Sequence, residues 1–332
     1  MATPHNHPPK PADGPLNSLW DDPVRKLVEL PGPVLPPEEV ERHTVFSLLV
    51  MALVSRYWNG NKKGPDGQYP WRPKQQRPGG SGYLGGDYLG HNIAAIAVNR
   101  RGHVIDFDFN HNEMLNSSVE HAESRLVRRV FSLTQLYDLA TVGMASSLVP
   151  VNYANVLNDV TIYTSLESCS QCSGIMALGS VKEVVFLQRD PGQNSVGNIL
   201  RNLSPVGGRY QPPLPIPADF LGITAFAELD TAYSAFKSGV NSKPFYISVK
   251  GDKDHSPSIT SFLCTDSALE VFAKADTTLS SMKSVQYPTY RPSAGVGQPI
   301  PDALSNEEAL EHAKRFFDYA VNCGRRGSPH KL

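Results

Sequence analysis

Two short stretches decide the fold, SSVEHAE (residues 117–123) and SCSQC (residues 168–172). The first contains a His-x-Glu motif and the second a Cys-x-x-Cys motif. Cysteines at i and i+3 share one face of a helical turn, so both sulfurs can reach one ion about 2.3 Å away. Taken alone, the cysteines could also be a redox pair or two buried thiols, and the histidine could be structural.

The surroundings of the motifs link them. Ser117 and Ser168 each begin a Ser-x-x-Glu/Gln pattern, which is typical of a capping box at a helix start. We therefore expect two helix N-termini to bring His121, Cys169 and Cys172 to one site. The partial positive charge of such termini favours thiolates. Three protein ligands leave one zinc position open, which is typical of a catalytic site.

Glu123 lies two residues from a predicted ligand and is not needed as one. A carboxylate there can take a proton from zinc-activated water and pass it on. His-x-Glu followed by Cys-x-x-Cys is the pattern of zinc nucleobase deaminases. The chain thus resembles the zinc-dependent cytidine deaminase-like superfamily. The segments at 172–176 (CSGIM), 181–186 (VKEVVF) and 190–197 follow the order seen in its tRNA adenosine deaminase and guanine deaminase branch.

The resemblance covers about residues 38–203 and implies a fold and a reaction. The implied fold is α/β, with three α-β-α layers and a mixed central sheet. The implied reaction is hydrolytic deamination, a hydrolysis of the C–N bond in a cyclic amidine. It needs one Zn²⁺ per chain, zinc-bound hydroxide as the nucleophile and Glu123 as the proton shuttle. Asn110 matches the asparagine that contacts the base in this family, and His111 beside it could line the same pocket.

The chain departs from the family at positions where proline is usual, which are Ser118 and Ser168 here. Proline fixes φ at a helix start and needs no N–H partner, and a capping box does similar work. We therefore expect the metal site to survive both changes. The separation between His121 and Cys169 is long for the branch and predicts an insertion between about residues 132 and 159.

Composition limits the alternatives. The chain has 332 residues, with 31 Lys and Arg against 32 Asp and Glu, and a formal net charge of -1. This balance argues against a strongly basic nucleic-acid-coating protein and against an acidic solvating chain. Four cysteines are too few for a disulfide scaffold. No signal peptide is visible, and the apolar run at 45–54 is too short for a membrane span. We expect a cytoplasmic protein.

Hydrophobic patterning and Gly/Pro positions predict a helix-covered α/β sheet. The predicted elements are helix 38–58, strands 93–98 and 104–109, helix 118–131, strand 160–164, helix 169–178, strand 181–187, helix 218–238, strand 244–250, helix 261–279 and helix 306–322. The predicted organisation is an irregular proline-rich arm (1–36), a deaminase domain (37–210) with a long Gly/Pro loop (59–90), a linker (211–217), and a C-terminal α+β extension of unknown role (218–332).

Three functions stay open at this stage. The first is a deaminase for a free nucleobase, nucleoside or nucleotide, which the near-neutral charge favours. The second is an editing deaminase for RNA or single-stranded DNA, acting on tRNA adenosine or cytidine. The third is a non-catalytic zinc scaffold, against which the presence of Glu123 argues. A homodimer also stays open.

The second function depends on a basic segment at residues 59–77 that also contains aromatic residues. Basic side chains interleaved with aromatic ones can follow phosphates and stack on bases. The alternative is an ordinary solvated loop. The candidate contacts are Lys62, Lys63, Trp71, Arg72, Lys74 and Arg77.

Overall fold

The computed structural model describes residues 24–30, 32–58, 90–112, 115, 117–142, 157–204, 211–242, 246–247, 253–254, 258–295 and 298–323. Its centre is a mixed five-stranded sheet with the order β2-β1-β3-β4-β5. The strands are β1 (Ala94–Val98), β2 (Val104–Phe109), β3 (Thr161–Thr164), β4 (Glu183–Phe186) and β5 (Leu214–Pro217). Short two-stranded ladders join β6 (Tyr246–Ile247) to β7 (Lys253–Asp254) and β8 (Ser293–Gly295) to β9 (Gln298–Pro299).

The described α-helices are α1 (Val24–Leu27), α2 (Pro37–Arg56), α3 (Ala122–Val142), α4 (Ser170–Leu178), α5 (Val196–Leu203), α6 (Thr224–Ser242), α7 (Ile259–Phe262), α8 (Asp266–Ser281) and α9 (Asn306–Cys323). Helix α2 packs against β1, β3 and β4, whereas α3 packs against β2 and β1 and contacts α4. The predicted α/β class with a helix-covered mixed sheet is therefore confirmed.

Strand direction determines where the loops meet. β1 runs antiparallel to both β2 and β3, so β2 and β3 point the same way, and β4 and β5 are parallel to β3. The carboxyl ends of β2, β3 and β4 consequently lie at one edge of the sheet. The chain then enters α3 about a dozen residues after β2, and α4 begins shortly after β3.

Helix α2 forms the centre of the core. It begins with Pro37 at its first position and with Glu38 and Glu39 in its first turn, both favourable at a helix N-terminus. Its residues from Val45 to Val54 are all buried, which explains the apolar run in the sequence. Helices α8 and α9 also pack on α2, so the helix is covered by the sheet and by the C-terminal region.

Strand β2 has two buried faces of different chemistry. Phe107 packs edge-on against Phe316 of α9. On the opposite side, Asp106 and Asp108 are fully buried and pair with arginines of α3. The alternation that predicts this strand is therefore correct, but its polar residues face a helix and not water.

The C-terminal part differs from the predicted linker and extension. The predicted linker at 211–217 contains β5, whose residues Leu214 to Pro217 pair in parallel with β4. A proline-rich stretch is tolerated there because β5 is an edge strand, where missing N–H donors cost little. The linker prediction is therefore wrong. A capping box begins α9, because Ser305 and Glu308 exchange backbone-to-side-chain hydrogen bonds.

The N-terminal arm contains one turn of helix, α1, within its described residues. Asn202 on α5 donates to the backbone oxygens of Leu27 and Glu29, at 2.7 and 2.9 Å. These contacts tie the end of the arm to the body of the fold. Among the described helices, none is long and apolar enough to cross a membrane.

Leu49 tests the role of α2 as the central helix. Its side chain is fully buried, so Leu49→Ala should lower the free energy of unfolding by about 2–5 kcal/mol through lost burial and cavity formation. Leu178→Ala is the matched control, because Leu178 is 61% exposed and its loss should cost less than about 0.5 kcal/mol. Urea denaturation followed by circular dichroism measures both. Equal losses would contradict this packing.

Candidate metal centre and active site

His121 lies directly before the first residue of α3. The helix begins at Ala122, whose backbone N–H donates to Oδ1 of Asn110 at 2.8 Å. Asn110 follows β2, so the strand end itself caps the helix that carries the His-x-Glu motif. The helix was predicted to start near residue 118, and the predicted capping box does not form. Ser117 instead accepts a hydrogen bond from Val119.

The cysteines lie at the start of α4. Cys169 is the N-cap residue, with an extended backbone and no side-chain cap, and Cys172 is buried in the first turn. The predicted capping role of Ser168 and Gln171 is therefore also wrong. The hydroxyl of Ser168 donates a hydrogen bond to Glu123 at 3.1 Å. The side-chain amide of Gln171 donates hydrogen bonds to the backbone oxygen of Val119 at 2.8 Å and to the hydroxyl of Ser124 at 2.9 Å.

The three predicted ligands meet. Nδ1 of His121 lies 3.4 Å from Sγ of Cys169 and 3.7 Å from Sγ of Cys172. The ligand atoms of all three residues lie within 4.8 Å of one another. A tetrahedral zinc with Zn–S near 2.3 Å and Zn–N near 2.0–2.1 Å requires an N···S separation of about 3.6 Å. The donor set and its spacing therefore fit one zinc ion.

The electrostatics of the cluster favour a thiolate at Cys169, whereas they raise the pKa values of Cys172 and His121. A hydrogen bond from Cys172, together with His121, lowers the pKa of the Cys169 thiol to about 4. Cys169 is thus held as a thiolate, which is the form that coordinates zinc. Hydrogen bonding to Cys169 raises the pKa of His121.

Glu123 lies beside the cluster and is only 3% exposed. Its Oε1 accepts hydrogen bonds from Thr164 at 3.3 Å and from Ser168 at 3.1 Å. Its Oε2 lies 3.5 Å from Sγ of Cys172. Burial raises the pKa of this carboxyl group above its ordinary value. Two hydroxyls therefore fix one oxygen and leave the other on the side of the metal ligands.

A cavity of about 240 Å³ opens onto these groups. Its described lining residues are His91, Ile93, Asn110, Asn112, Ser118, His121, Glu123, Leu166, Glu167, Cys169, Asp190, Gln193 and Thr260. None of these is Lys or Arg, and burial raises the pKa of both Glu167 and Asp190. Thr260 belongs to the C-terminal region, and no motif in the sequence could have indicated that it would reach the cavity.

The two predicted substrate contacts differ in position. Asn110 lines the cavity, but His111 is not among the lining residues. His111 is buried, with Nδ1 2.7 Å from the backbone oxygen of Phe109 and 3.5 Å from Asp108. Burial lowers its pKa to about 4, so the ring is neutral at pH 7. The contact of His111 with substrate therefore stays a prediction, and within the described residues the ring contacts the end of β2.

The predicted nucleic-acid contacts Lys62, Lys63, Trp71, Arg72, Lys74 and Arg77 lie outside the described residues. The arginines that follow the His-x-Glu motif are described, and they form internal ion pairs. Arg125 contacts Asp108 at 2.9 Å and Glu120 at 2.6 Å, and Arg129 contacts Asp106 at 2.7 Å. Their role is to hold α3 against β2.

Comparison with known proteins agrees with this site. Residues 83–188 match the family model of the cytidine and deoxycytidylate deaminase zinc-binding region. This segment contains all three ligands and Glu123. The predicted resemblance to this family and the predicted zinc cofactor are confirmed at that level. A comparison with curated proteins finds no match.

Two solved structures share 20% sequence identity with the chain. One comes from a study of A-to-I editing by tRNA:A34 deaminases at the wobble position. Its alignment covers 40% of this chain and 80% of the solved chain, with a TM-score of 0.26. The other is guanine deaminase from Nitrosomonas europaea. Its alignment covers 42% of this chain and 70% of the solved chain, with a TM-score of 0.27. With such scores, neither structure carries an argument about the substrate.

Metal content tests the ligand set. The native chain should bind one zinc, and Cys172→Ser should weaken zinc binding by at least about tenfold, because even the loss of an outer-shell partner costs that much. Cys264→Ser is the matched control, since Cys264 is equally buried but lies outside the cluster. Elemental analysis and a competing chelator measure the two variants. Equal zinc affinity in both would contradict the assignment.

Proposed function

We propose that this chain is a zinc-dependent hydrolytic deaminase that replaces an exocyclic amino group of a nucleobase, nucleoside or nucleotide by oxygen. One observation carries the proposal: the buried carboxylate of Glu123 is held beside three zinc-type ligands at the wall of a cavity. A purely structural zinc site has no use for such a carboxylate. The family match over residues 83–188 supports the same reaction class.

Each residue has a distinct task in this reaction. When zinc is bound, it acts as a Lewis acid that makes water nucleophilic at neutral pH. Glu123 accepts the proton of the attacking water and delivers protons to the ring nitrogen and to the departing ammonia. Thr164 and Ser168 keep its carboxylate in place through Oε1. Water supplies the new oxygen and ammonia leaves, so the atoms balance.

Asn110 is proposed to position the base. Its Oδ1 accepts from Ala122, and no hydrogen bond within the described part of the chain uses its Nδ2. Because the residue also lines the cavity, Nδ2 can donate to a ring nitrogen or carbonyl of the substrate. The helix cap thus fixes the direction of a substrate-binding donor.

The charge of the cavity favours an unphosphorylated substrate. Glu167 and Asp190 line it, and its described lining contains no cationic side chain. A phosphate would be repelled by carboxylates at this range. We therefore favour a free base or a nucleoside over a nucleotide. RNA or single-stranded DNA editing is the second candidate, and the basic aromatic segment at 59–77 is the feature that favours it.

Glu123→Gln tests the proposed chemistry. The variant should keep its zinc and lose about 10²–10⁴-fold in turnover, because the amide cannot accept the proton. Glu270→Gln is the control, since Glu270 is exposed on α8. Ammonia release and zinc content are measured together. Unchanged turnover in the variant would remove Glu123 from this role. The native chain is also tested with cytosine, adenine and guanine compounds. If it binds zinc but releases ammonia from none of them, the result would favour the non-catalytic scaffold.

Substrate charge separates the two catalytic candidates. For the base that is deaminated, the nucleoside should exceed its 5′-monophosphate in kcat/KM by at least about tenfold at low salt, because of carboxylate repulsion. A single-stranded oligonucleotide should show no binding that falls steeply with salt. A preferred nucleotide would contradict the charge argument, and steep salt dependence with the oligonucleotide would favour the editing function.

A further inference from the structure

A second cavity of about 290 Å³ lies at the other edge of the sheet. It opens near the amino ends of β3 and β4, whereas the zinc cavity lies beyond their carboxyl ends. The two cavities share no described lining residue. Its volume is similar to that of the zinc cavity, so both cavities can hold molecules of about the same size.

The walls of the second cavity come from three parts of the fold. Helix α2 contributes its first two turns, including Glu39 and His43, and the sheet contributes Tyr163 and Glu183. The segment after α8 closes the cavity through residues that include Tyr290. The space is therefore lined by described residues that the proposed deamination does not use.

Glu183 is the central polar group of this cavity. It is 6% exposed, and its Oε1 accepts from the hydroxyl of Thr161 at 2.5 Å and from Nζ of Lys182 at 3.2 Å. Its Oε2 makes no hydrogen bond within the described residues. Although burial alone would raise the pKa of Glu183, Lys182 and His43 hold it below the ordinary value. The residue is therefore a buried carboxylate with one unpaired oxygen.

Two other groups of the cavity have polar atoms without a hydrogen-bond partner among the described residues. The carboxylate of Glu39 makes no hydrogen bond within the described chain, and burial raises its pKa. His43 is 4% exposed, bonds to the Tyr163 hydroxyl through Nδ1 at 2.9 Å, and has no partner for Nε2 among the described residues. Native proteins seldom leave buried polar atoms unsatisfied, so Nε2 of His43 requires an explanation. The half-buried carboxylate of Glu39 adds an acceptor at the same wall.

The cationic side chains around the cavity already form hydrogen bonds or ion pairs with other groups of the chain. Arg42 donates to the backbone oxygens of Leu304 and Arg101 and to the side chain of Asn306. Arg100 pairs with Asp159 at 3.6 Å on the exposed rim. Lys182 is half exposed and contacts the Glu183 oxygen that is already bonded. The unpaired carboxylate oxygens of Glu183 and Glu39 are acceptors, so a ligand that matches them must supply N–H donors.

We infer that this second cavity is a binding site for a small molecule that presents paired N–H donors to Glu183 and Glu39. Guanidinium and amidinium groups have this chemistry, and so does the amino edge of a nucleobase. The inference goes beyond the proposed deaminase function and does not depend on it, because none of these residues touches the zinc cavity.

Calorimetric titration of the full-length, zinc-loaded chain tests the inference with two probes, agmatine and guanosine. Both are titrated to about 1 mM into a Glu123→Gln background, which prevents turnover. If the ligand is a guanidinium compound, agmatine is expected to bind at one site per chain. If the ligand is a nucleobase, guanosine is expected to bind at one site in addition to any site in the zinc cavity. Glu183→Gln keeps the shape of the side chain and should weaken that site at least tenfold.

Two further variants keep the result interpretable. Glu39→Gln changes the wall formed by α2 and leaves the sheet unaltered. It therefore tests ligand binding at this cavity even if Glu183→Gln fails to fold. Glu228→Gln is the matched control, because Glu228 is exposed and pairs only with Lys274 among the described residues. Binding of agmatine alone would assign a guanidinium ligand, and binding of guanosine alone would assign a base. The inference is overturned if neither probe binds at a site that responds to Glu183→Gln or Glu39→Gln.

Discussion

The metal ligands meet because β2 and β3 run in the same direction. β1 lies antiparallel between them, and this arrangement brings their carboxyl ends to one edge of the sheet. His121 and Cys169 then lie directly before the first residues of the two helices that follow. A slip of β2 by one residue would exchange its faces and place Asp106 and Asp108 among aromatic side chains. The register of one hairpin therefore determines whether the site can form.

That register is held by buried charge. Asp108 is fully buried and contacts both Arg125 and Arg129, so strand β2 and helix α3 are joined through ion pairs. Removing one partner of a buried pair leaves an uncompensated charge and costs about 3–5 kcal/mol. Glu120, next to His121, also accepts from Arg125. The same network that fixes the strand therefore fixes the residue before the first metal ligand.

Sequence alone was sufficient where the determinants are local. The helix near 38–58, the hairpin and the His-x-Glu and Cys-x-x-Cys motifs depend on spacings within a few residues. The caps were wrong because the true cap of α3 is Asn110, twelve residues upstream, and the hydroxyl of Ser168 has a better partner in Glu123. The linker was wrong because pairing with β4 decides the structure of residues 214–217. Such long-range partners leave no local pattern.

Part of the wall of the zinc cavity comes from residues beyond the family region. Residues 83–188 contain the three ligands and Glu123, but Asp190, Gln193 and Thr260 of the cavity wall lie after it. The same C-terminal part closes the second cavity through Tyr290 and covers α2 with α8 and α9. The three candidate ligands, Glu123 and most of the described cavity lining therefore lie in the family region, whereas one of the two additional carboxylates, Asp190, comes from a part of the chain that the match does not include. The carboxylates of Glu167 and Asp190 in this wall support the proposal of a substrate without a phosphate group.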